Sequence, residues 1–186
     1  MHQRLKQHIE AIVPLTDEEF AFVASHFSYQ KAKKREFLIQ EGQRVNHVFF
    51  VVSGLLKLTY RDEMANDSIV SFAMEDWWES DYQAFYNKTD ASLSLQCLEP
   101  TEVYSITLED YKKLCAGLHK MEHFFLEKAN RGHIASQQRI ISFLTLSARE
   151  RYEQLLKRYP SLLQRVPKSL IASYLGVSRE TLSRLY

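Results

Sequence analysis

The hydrophobic period of the chain changes along its length. From Lys34 to Ile106 apolar and β-branched residues fall in short runs, at Glu36 to Gln40, Val48 to Val52, Leu55 to Arg61, Ser68 to Ala73, Ser92 to Leu98 and Thr101 to Ile106. Many short strands with no helical pattern between them predict an antiparallel barrel or jelly roll rather than a parallel sheet. Gly42 and the Ser53-Gly54 pair punctuate the runs. Because glycine tolerates φ > 0, Ser53-Gly54 predicts a hairpin in which Val48–Val52 pairs with Leu55–Tyr60.

Helical patterns flank this region. Thr16 followed by Asp17, Glu18 and Glu19 reads as a capping box opening a short lid helix with Phe20, Val23 and Phe27 on its apolar side. Thr107 and Asp110 form a second capping pair, and the helix they open runs through Tyr111 and Leu114 until Gly117 interrupts it. From about Lys120 to Tyr159 there is no proline and Gly132 is the one glycine, while Ile134, Ile141, Leu144 and Leu155 recur near helical spacing. A helix of up to about 25 residues, ~37 Å long, exceeds what one small barrel can cover. Its apolar stripe therefore calls for another surface: the same stripe on a second copy of the chain, or else the rest of its own subunit.

The sharpest pattern lies in residues 167–186. Counting Lys168 as the first position, apolar residues stand at positions 4, 8, 10, 15 and 18, namely Ile171, Leu175, Val177, Leu182 and Leu185. They predict the inward faces of two short crossed helices. Ala172 supplies the small residue at their closest approach, Gly176 the sharp turn and Ser178 the N-cap of the second helix, and Pro167 suits the first turn of the first. The pattern is that of a helix-turn-helix. Its second helix would present Arg179, Glu180, Thr181, Ser183 and Arg184 outward. Arginine can grip guanine O6 and N7 through paired hydrogen bonds and glutamate can accept from the cytosine amino group, which makes Arg179, Glu180 and Arg184 candidate base readers. Lys168, Ser169, Ser178 and Thr181 are placed for phosphate contacts. The alternative is a solvated face with no partner.

Charge sharpens this picture. The net charge of +1 divides into 8 Lys and Arg against 3 Asp and Glu in residues 148–186, and 16 against 20 before them. A basic module on a mildly acidic body points to a polyanion at one end only. With 45% apolar and 25% charged residues the chain is expected to fold as a globular protein. No apolar run approaches the roughly 18 residues that span a bilayer, and the first ten residues lack the apolar core of a signal peptide, so no membrane partner and a cytoplasmic location are expected. Cys97 and Cys115 are spaced neither as a metal clip nor as a disulfide framework and are expected to be structural thiols.

A barrel, a long helix and a C-terminal helix-turn-helix in this order resemble the Crp/Fnr family of bacterial transcription regulators over essentially the whole chain. The stretch EGQRVNHVFFVVSGLLKL around Gly42 to Gly54 is similar to the family's barrel hairpin. SARERYEQLLKRYPSLLQRVPKSLIASYLGVSRETLSRLY is similar to the DNA-reading end of its Bacteroidetes-type members. The resemblance implies an α+β chain with an N-terminal effector domain over 1–117, a dimerisation helix over 118–147 and a DNA-binding domain over 148–186. It also implies a homodimer on a palindromic operator, with RNA polymerase and an unidentified small-molecule effector as candidate partners, and Arg179, Glu180 and Arg184 in the base-reading positions.

The best-known members hold cyclic AMP in a cassette where a Gly-Glu pair is followed by an Arg-Ser pair. Here Glu79-Ser80 and Ala91-Ser92 stand at those places, and the phosphate-pairing arginine is missing. A cyclic phosphate would instead meet Glu75, Asp76, Glu79 and Asp81, which predicts weak or no cyclic-nucleotide binding. The candidate effector pocket is Trp77, Trp78, Ser80, Asp81, Ala91 and Ser92. The rings of Trp77, Trp78, Tyr82, Phe85 and Tyr86 would either line it for an uncharged or cationic effector or simply fill the barrel mouth. The N-terminal cysteine cluster of iron–sulfur members is absent and no haem ligand can be assigned, so no cofactor is expected. The sequence ends at Tyr186, eight residues beyond Ser178, leaving either a short reading helix that firms up on binding or a cut close to the last functional residue.

An enzyme of the cupin type is the rival a β-barrel invites, because such barrels hold a metal on clustered histidines. Only His47 of the seven histidines falls on a barrel strand, His119 and His123 form a lone helical pair, and neither a phosphate loop nor a nucleophile elbow is present. No catalytic or metal-binding residue is assigned. The other alternative is a small-molecule-sensing barrel whose C-terminal helices bind a protein rather than DNA.

Overall fold

Hydroxyl caps start several of the helices. Thr16 Oγ1 accepts from the Glu19 N–H at 3.2 Å while the Glu19 carboxylate accepts from the Thr16 N–H at 2.8 Å, which opens the helix Asp17–Ser25. Thr107 caps the helix Leu108–Gly117 through the Asp110 N–H at 3.0 Å. Ser147 and Glu150 repeat the reciprocal box at the start of the helix Ala148–Arg158. This last box ends the long helical pattern that the sequence carries on to Tyr159.

The computed structural model describes residues 2–185, without the side chain of Leu185. Helices α1 (Gln3–Glu10) and α2 (Asp17–Ser25) lead into strands β1 (Ser28–Ala32), β2 (Phe37–Ile39), β3 (His47–Ser53), β4 (Leu56–Arg61), β5 (Asp67–Ala73) and β6 (Trp78–Glu79). A short helix α3 (Tyr82–Asn87) precedes β7 (Leu93–Cys97) and β8 (Thr101–Thr107). Then come α4 (Leu108–Gly117), α5 (His119–Thr145), α6 (Ala148–Arg158), α7 (Pro160–Arg165), α8 (Lys168–Leu175) and α9 (Arg179–Leu185). The strands make two four-stranded antiparallel sheets, ordered β1-β8-β3-β6 and β2-β7-β4-β5, a jelly roll. The expected α+β class with an antiparallel jelly roll is therefore what the chain adopts.

The expected hairpin across Ser53-Gly54 does not form. Strand β3 already has β8 on one edge and β6 on the other, so β4 pairs instead with β5 and β7 in the opposite sheet. Gly54 does take φ +106°, and it uses that freedom to carry the chain from one sheet to the other. A Cβ at Gly54 would lie 2.7 Å from the Cα of Thr101, the first residue of β8.

Apolar alternation assigns each sheet a role. Phe50, Trp78 and Tyr104 meet the N-terminal helices and the start of α5, where Leu5, Ile9, Met121 and Phe124 are fully buried. Beyond Phe125 the 27-residue α5 leaves this core, and Leu126, Ile134, Ile140, Ile141 and Leu144 are each more than half exposed.

The second sheet carries another core. Ile69 and Phe72, three apart, would face opposite ways in an unbroken strand. The register shift between the Leu58–Ser71 and Thr59–Ile69 pairs inserts Val70 as a bulge and turns both to the same side. There they join Leu55, Leu155, Leu162, Val166, Ile171, Ala172, Leu175 and Leu182 in a cluster that binds the C-terminal helices to the barrel.

Gly54→Ala combines a strained φ with backbone overlap at Thr101. It is expected to destabilise the fold by roughly 3 kcal/mol or more in urea unfolding, and a loss below about 1 kcal/mol would show that the corner can relax.

Candidate functional site

Helices α8 and α9 are joined through Gly176, which ends α8 at φ +69° and ψ +35° and passes its N–H to the Ser173 carbonyl at 3.0 Å. Pro167 sits at the N-cap of α8, one place before the first turn. Ser178 caps α9 by accepting from the Thr181 N–H at 3.1 Å, and the two hydroxyls lie 3.0 Å apart. Ile171, Ala172, Leu175 and Leu182 are buried and Val177 is half-buried; the expected inward position Leu185 lies outside the residues whose side chains are described. The pattern of apolar, small and turn positions read from the sequence thus produces the crossed pair.

The remaining faces are exposed. Lys168, Ser169, Ser178, Arg179, Glu180, Thr181, Ser183 and Arg184 all point to solvent, so every residue expected at a nucleic-acid contact is free of the barrel. A hydrogen bond from its own N–H and one from the Ser178 hydroxyl hold the Glu180 carboxyl below its ordinary range, so it is ionised at neutral pH as an acceptor.

Arginines that the sequence pattern did not single out hold this head in place. Arg139 on α5 donates to the carbonyls of Ile69 at 3.3 Å and Tyr174 at 3.1 Å, with its guanidinium 3.7 Å from the Tyr174 ring centroid. Arg151 donates to the carbonyls of Leu146 at 2.7 Å and Leu175 at 2.9 Å. Arg165 at the end of α7 forks onto Glu75 at 2.8 and 2.9 Å and also binds Glu99. Burial works to raise the Glu75 carboxyl, but Arg165 and the Gly54 N–H outweigh it and hold it down to about 2. Nothing local marks these arginines, because each is defined by a carbonyl or carboxylate far away in sequence.

The candidate effector residues separate into groups. Ser80, Asp81, Ala91 and Ser92 come together where α3 begins and β7 approaches: Ser80 Oγ donates to the His47 carbonyl at 2.9 Å, and Asp81 binds Ser92. The two tryptophans do not join them or each other. Trp77 packs edge-on to Tyr159 of the head at 5.1 Å, whereas Trp78 lies among Phe27, Phe50, Phe124 and Phe125 and donates to His8 Nε2 at 3.1 Å. The acidic residues are divided as well. Glu75 and Asp76 are spent on Arg165 and Arg4, and Glu79 and Asp81 are the buried pair. A cavity of about 180 Å³ lies elsewhere, between β1, β2 and β3, lined by Gln30, Glu36, His47 and Phe49 among others. Among the described residues no group of three or more His, Cys, Asp or Glu side chains is placed to hold a metal, and no helix is long and apolar enough to cross a membrane.

Residues 29–117 match the family described as the cyclic nucleotide-binding domain. No curated protein sequence matches the chain. Among solved structures the fold is similar to FixK2 from Bradyrhizobium japonicum, at TM-score 0.72 and 15% identity over 86% of this chain and 82% of that one. It is similar to the catabolite activator protein of Thermus thermophilus, at TM-score 0.60 and 20% identity over 93% and 83% of the two chains. A protein of Eubacterium rectale described as a transcriptional regulator of the Crp/Fnr family gives TM-score 0.71 and 15% identity over 92% and 82%. The match in the barrel and the likeness beyond it place this chain in the architecture of those regulators.

Glu79 gives the barrel a pH signature. Burial pushes its carboxyl up to about 7, against hydrogen bonds from the Ser71 hydroxyl and the Ser80 N–H. The folded protein therefore holds a proton that the unfolded chain releases near pH 4.5. The stability that this proton contributes is expected to be full below that pH and to be lost, by on the order of 3 kcal/mol, as pH rises through about 7. Glu79→Gln is expected to flatten this slope in urea titrations, and an unchanged slope would assign it to another group.

Proposed function

We propose that the chain is a cytoplasmic, DNA-binding transcription regulator of Crp/Fnr type that acts as a homodimer. The observation that carries this reading is the exposed ridge of Arg179, Glu180, Thr181, Ser183 and Arg184, raised on a glycine-turned helix pair whose buried side shares a core with the second sheet of the barrel. In this reading residues 1–117 form the sensor domain, 118–147 the dimerisation helix and 148–186 the DNA-binding head. Arg179, Glu180 and Arg184 read base edges, and Lys168, Ser169 and Thr181 meet phosphates. Ser178 contributes mainly as the cap of the reading helix, since its hydroxyl is engaged by Thr181. The reading assigns no catalytic role to any residue.

The second copy of the chain covers α5. Leu126, Ile134, Ile141 and Leu144 lie at spacings of 8, 7 and 3, which put them on one stripe of the helix, and that stripe is exposed in the single chain. A two-fold axis along it sets two reading helices side by side, as a palindromic operator requires.

The competing reading, in which the head binds a protein instead of DNA, is separated by salt. Neutralising phosphates makes log affinity fall linearly with log salt concentration, and a protein partner gives no such series on random DNA.

Selection of bound sequences from a random DNA pool is expected to return a palindrome with half-sites about 34 Å apart. Arg179→Ala and Arg184→Ala are each expected to lose about 1–3 kcal/mol of specific binding and to relax one base pair per half-site, and an unchanged preference would remove them from base reading. Ile134→Glu combined with Ile141→Glu is expected to convert a dimer to a monomer in sedimentation and to abolish operator binding. A dimer that survives both charges would place the interface elsewhere.

A further inference from the structure

A cyclic nucleotide carries one singly charged phosphodiester, and a protein that holds it needs donors converging on one sheltered point. The barrel has such a point, within the segment that matches the cyclic nucleotide-binding domain. The Ser92 N–H at 2.9 Å, the Ser92 hydroxyl at 3.1 Å and the Leu93 N–H at 3.1 Å all meet on one oxygen, and that oxygen is Oδ2 of Asp81. The other oxygen, Oδ1, accepts from the Ala84 N–H at 3.0 Å.

A plain cap of α3 would need only the bond from Ala84. The three further donors come from residues 11 and 12 positions away in sequence and serve no helix end. Asp81 is 1% exposed although Ser92 lies at the surface, so the carboxylate sits beneath the loop rather than beside it. Ala91, directly before Ser92, contributes no charge. A carboxylate sealed in this way is tolerable only because hydrogen bonds replace its water, and four donors do so here.

We propose that Asp81 is a built-in anion: its carboxylate fills the Ser92–Leu93 loop where the phosphate of a ligand would otherwise sit. The loop is thereby ordered without a ligand and closed to phosphate-bearing effectors. Any small molecule the barrel senses carries no phosphate at this place. Asp81 is thus the residue that sets the ligand class, beyond the loss of a pairing arginine.

None of the tests involves DNA. Calorimetry of the wild-type chain with cyclic AMP, cyclic GMP and inorganic phosphate, each at millimolar concentration, is expected to show no binding, and micromolar affinity for any of them overturns the proposal. Asp81→Ala strips the loop donors of their acceptor and is expected to lower Tm by about 5–10 °C. Formate, which is the missing carboxylate supplied from solution, and inorganic phosphate are expected to recover much of that loss in Asp81→Ala but not to raise the wild type. Chloride at equal ionic strength is the control. A loss that neither anion repairs beyond chloride overturns the proposal. Should Asp81→Ala not fold, Asp81→Asn keeps the size but makes one terminal atom a donor, so it must abandon either Ala84 or the loop. A Tm for Asp81→Asn equal to that of wild type overturns the assignment of both oxygens.

Discussion

The passage of the chain through Gly54 is the constraint on which the other parts rest. A residue with a side chain could not lie against the backbone of Thr101, so the close approach of the β3–β4 corner to the start of β8 requires glycine there. The same corner donates its N–H to Glu75 at 2.9 Å, and Glu75 receives the fork of Arg165 from the head. One backbone turn therefore fixes which sheet β4 joins, where Thr101 starts β8, and where the carboxylate stands that meets α7. A surface ion pair adds little to stability, but this one is about three-quarters buried, bidentate and shared with Glu99, so its geometry is specified.

Hydrophobic contact supplies the adhesion that the ion pair orients. The bulge at Val70 turns Ile69 and Phe72 together toward α8, and Phe72 lies 5.3 Å from Tyr174 ring to ring. Strand β5 is also the edge of its sheet, where an unpaired N–H and carbonyl invite association with another chain. At Ile69 both are taken: the N–H donates to Ser173 Oγ at 3.1 Å and the carbonyl accepts from Arg139. The head thus closes part of an exposed edge while leaving its own basic ridge uncovered.

The fold was legible in the sequence where the signal is local. Thr16 and Thr107 marked helix starts, and the run of Ile171, Ala172, Leu175, Gly176 and Leu182 marked the crossed pair, because caps, turns and helical faces depend on residues a few places apart. Strands β1 and β6 escaped notice. Ser28–Ala32 is largely exposed and Trp78–Glu79 spans only two residues, so neither shows alternation. The pairing across Gly54 failed for a different reason: a turn residue announces a reversal but does not say which edge is vacant, and both edges of β3 are filled from distant parts of the chain. The same limit applies to the candidate barrel site. Ser80, Asp81, Ala91 and Ser92 were found together because a family pattern spaces them, whereas adjacent Trp77 and Trp78 were grouped although alternation sends them to opposite sides.

Helix α5 joins these parts mechanically. Its first turns bury Met121, Phe124 and Phe125 in the barrel core, its middle exposes the stripe through Ile134 and Ile141, and its last turns carry Arg139 and Phe143 against α8 and the Gly176 turn. A rod held at both ends cannot rotate about its axis without moving something at each. Rotation by one residue, about 100° of helix, would withdraw Arg139 from the Tyr174 carbonyl and Phe124 from the barrel core. Barrel packing and the placement of the basic ridge are therefore tied to one element, because the same helix buries Phe124 in the barrel and holds the Tyr174 carbonyl through Arg139.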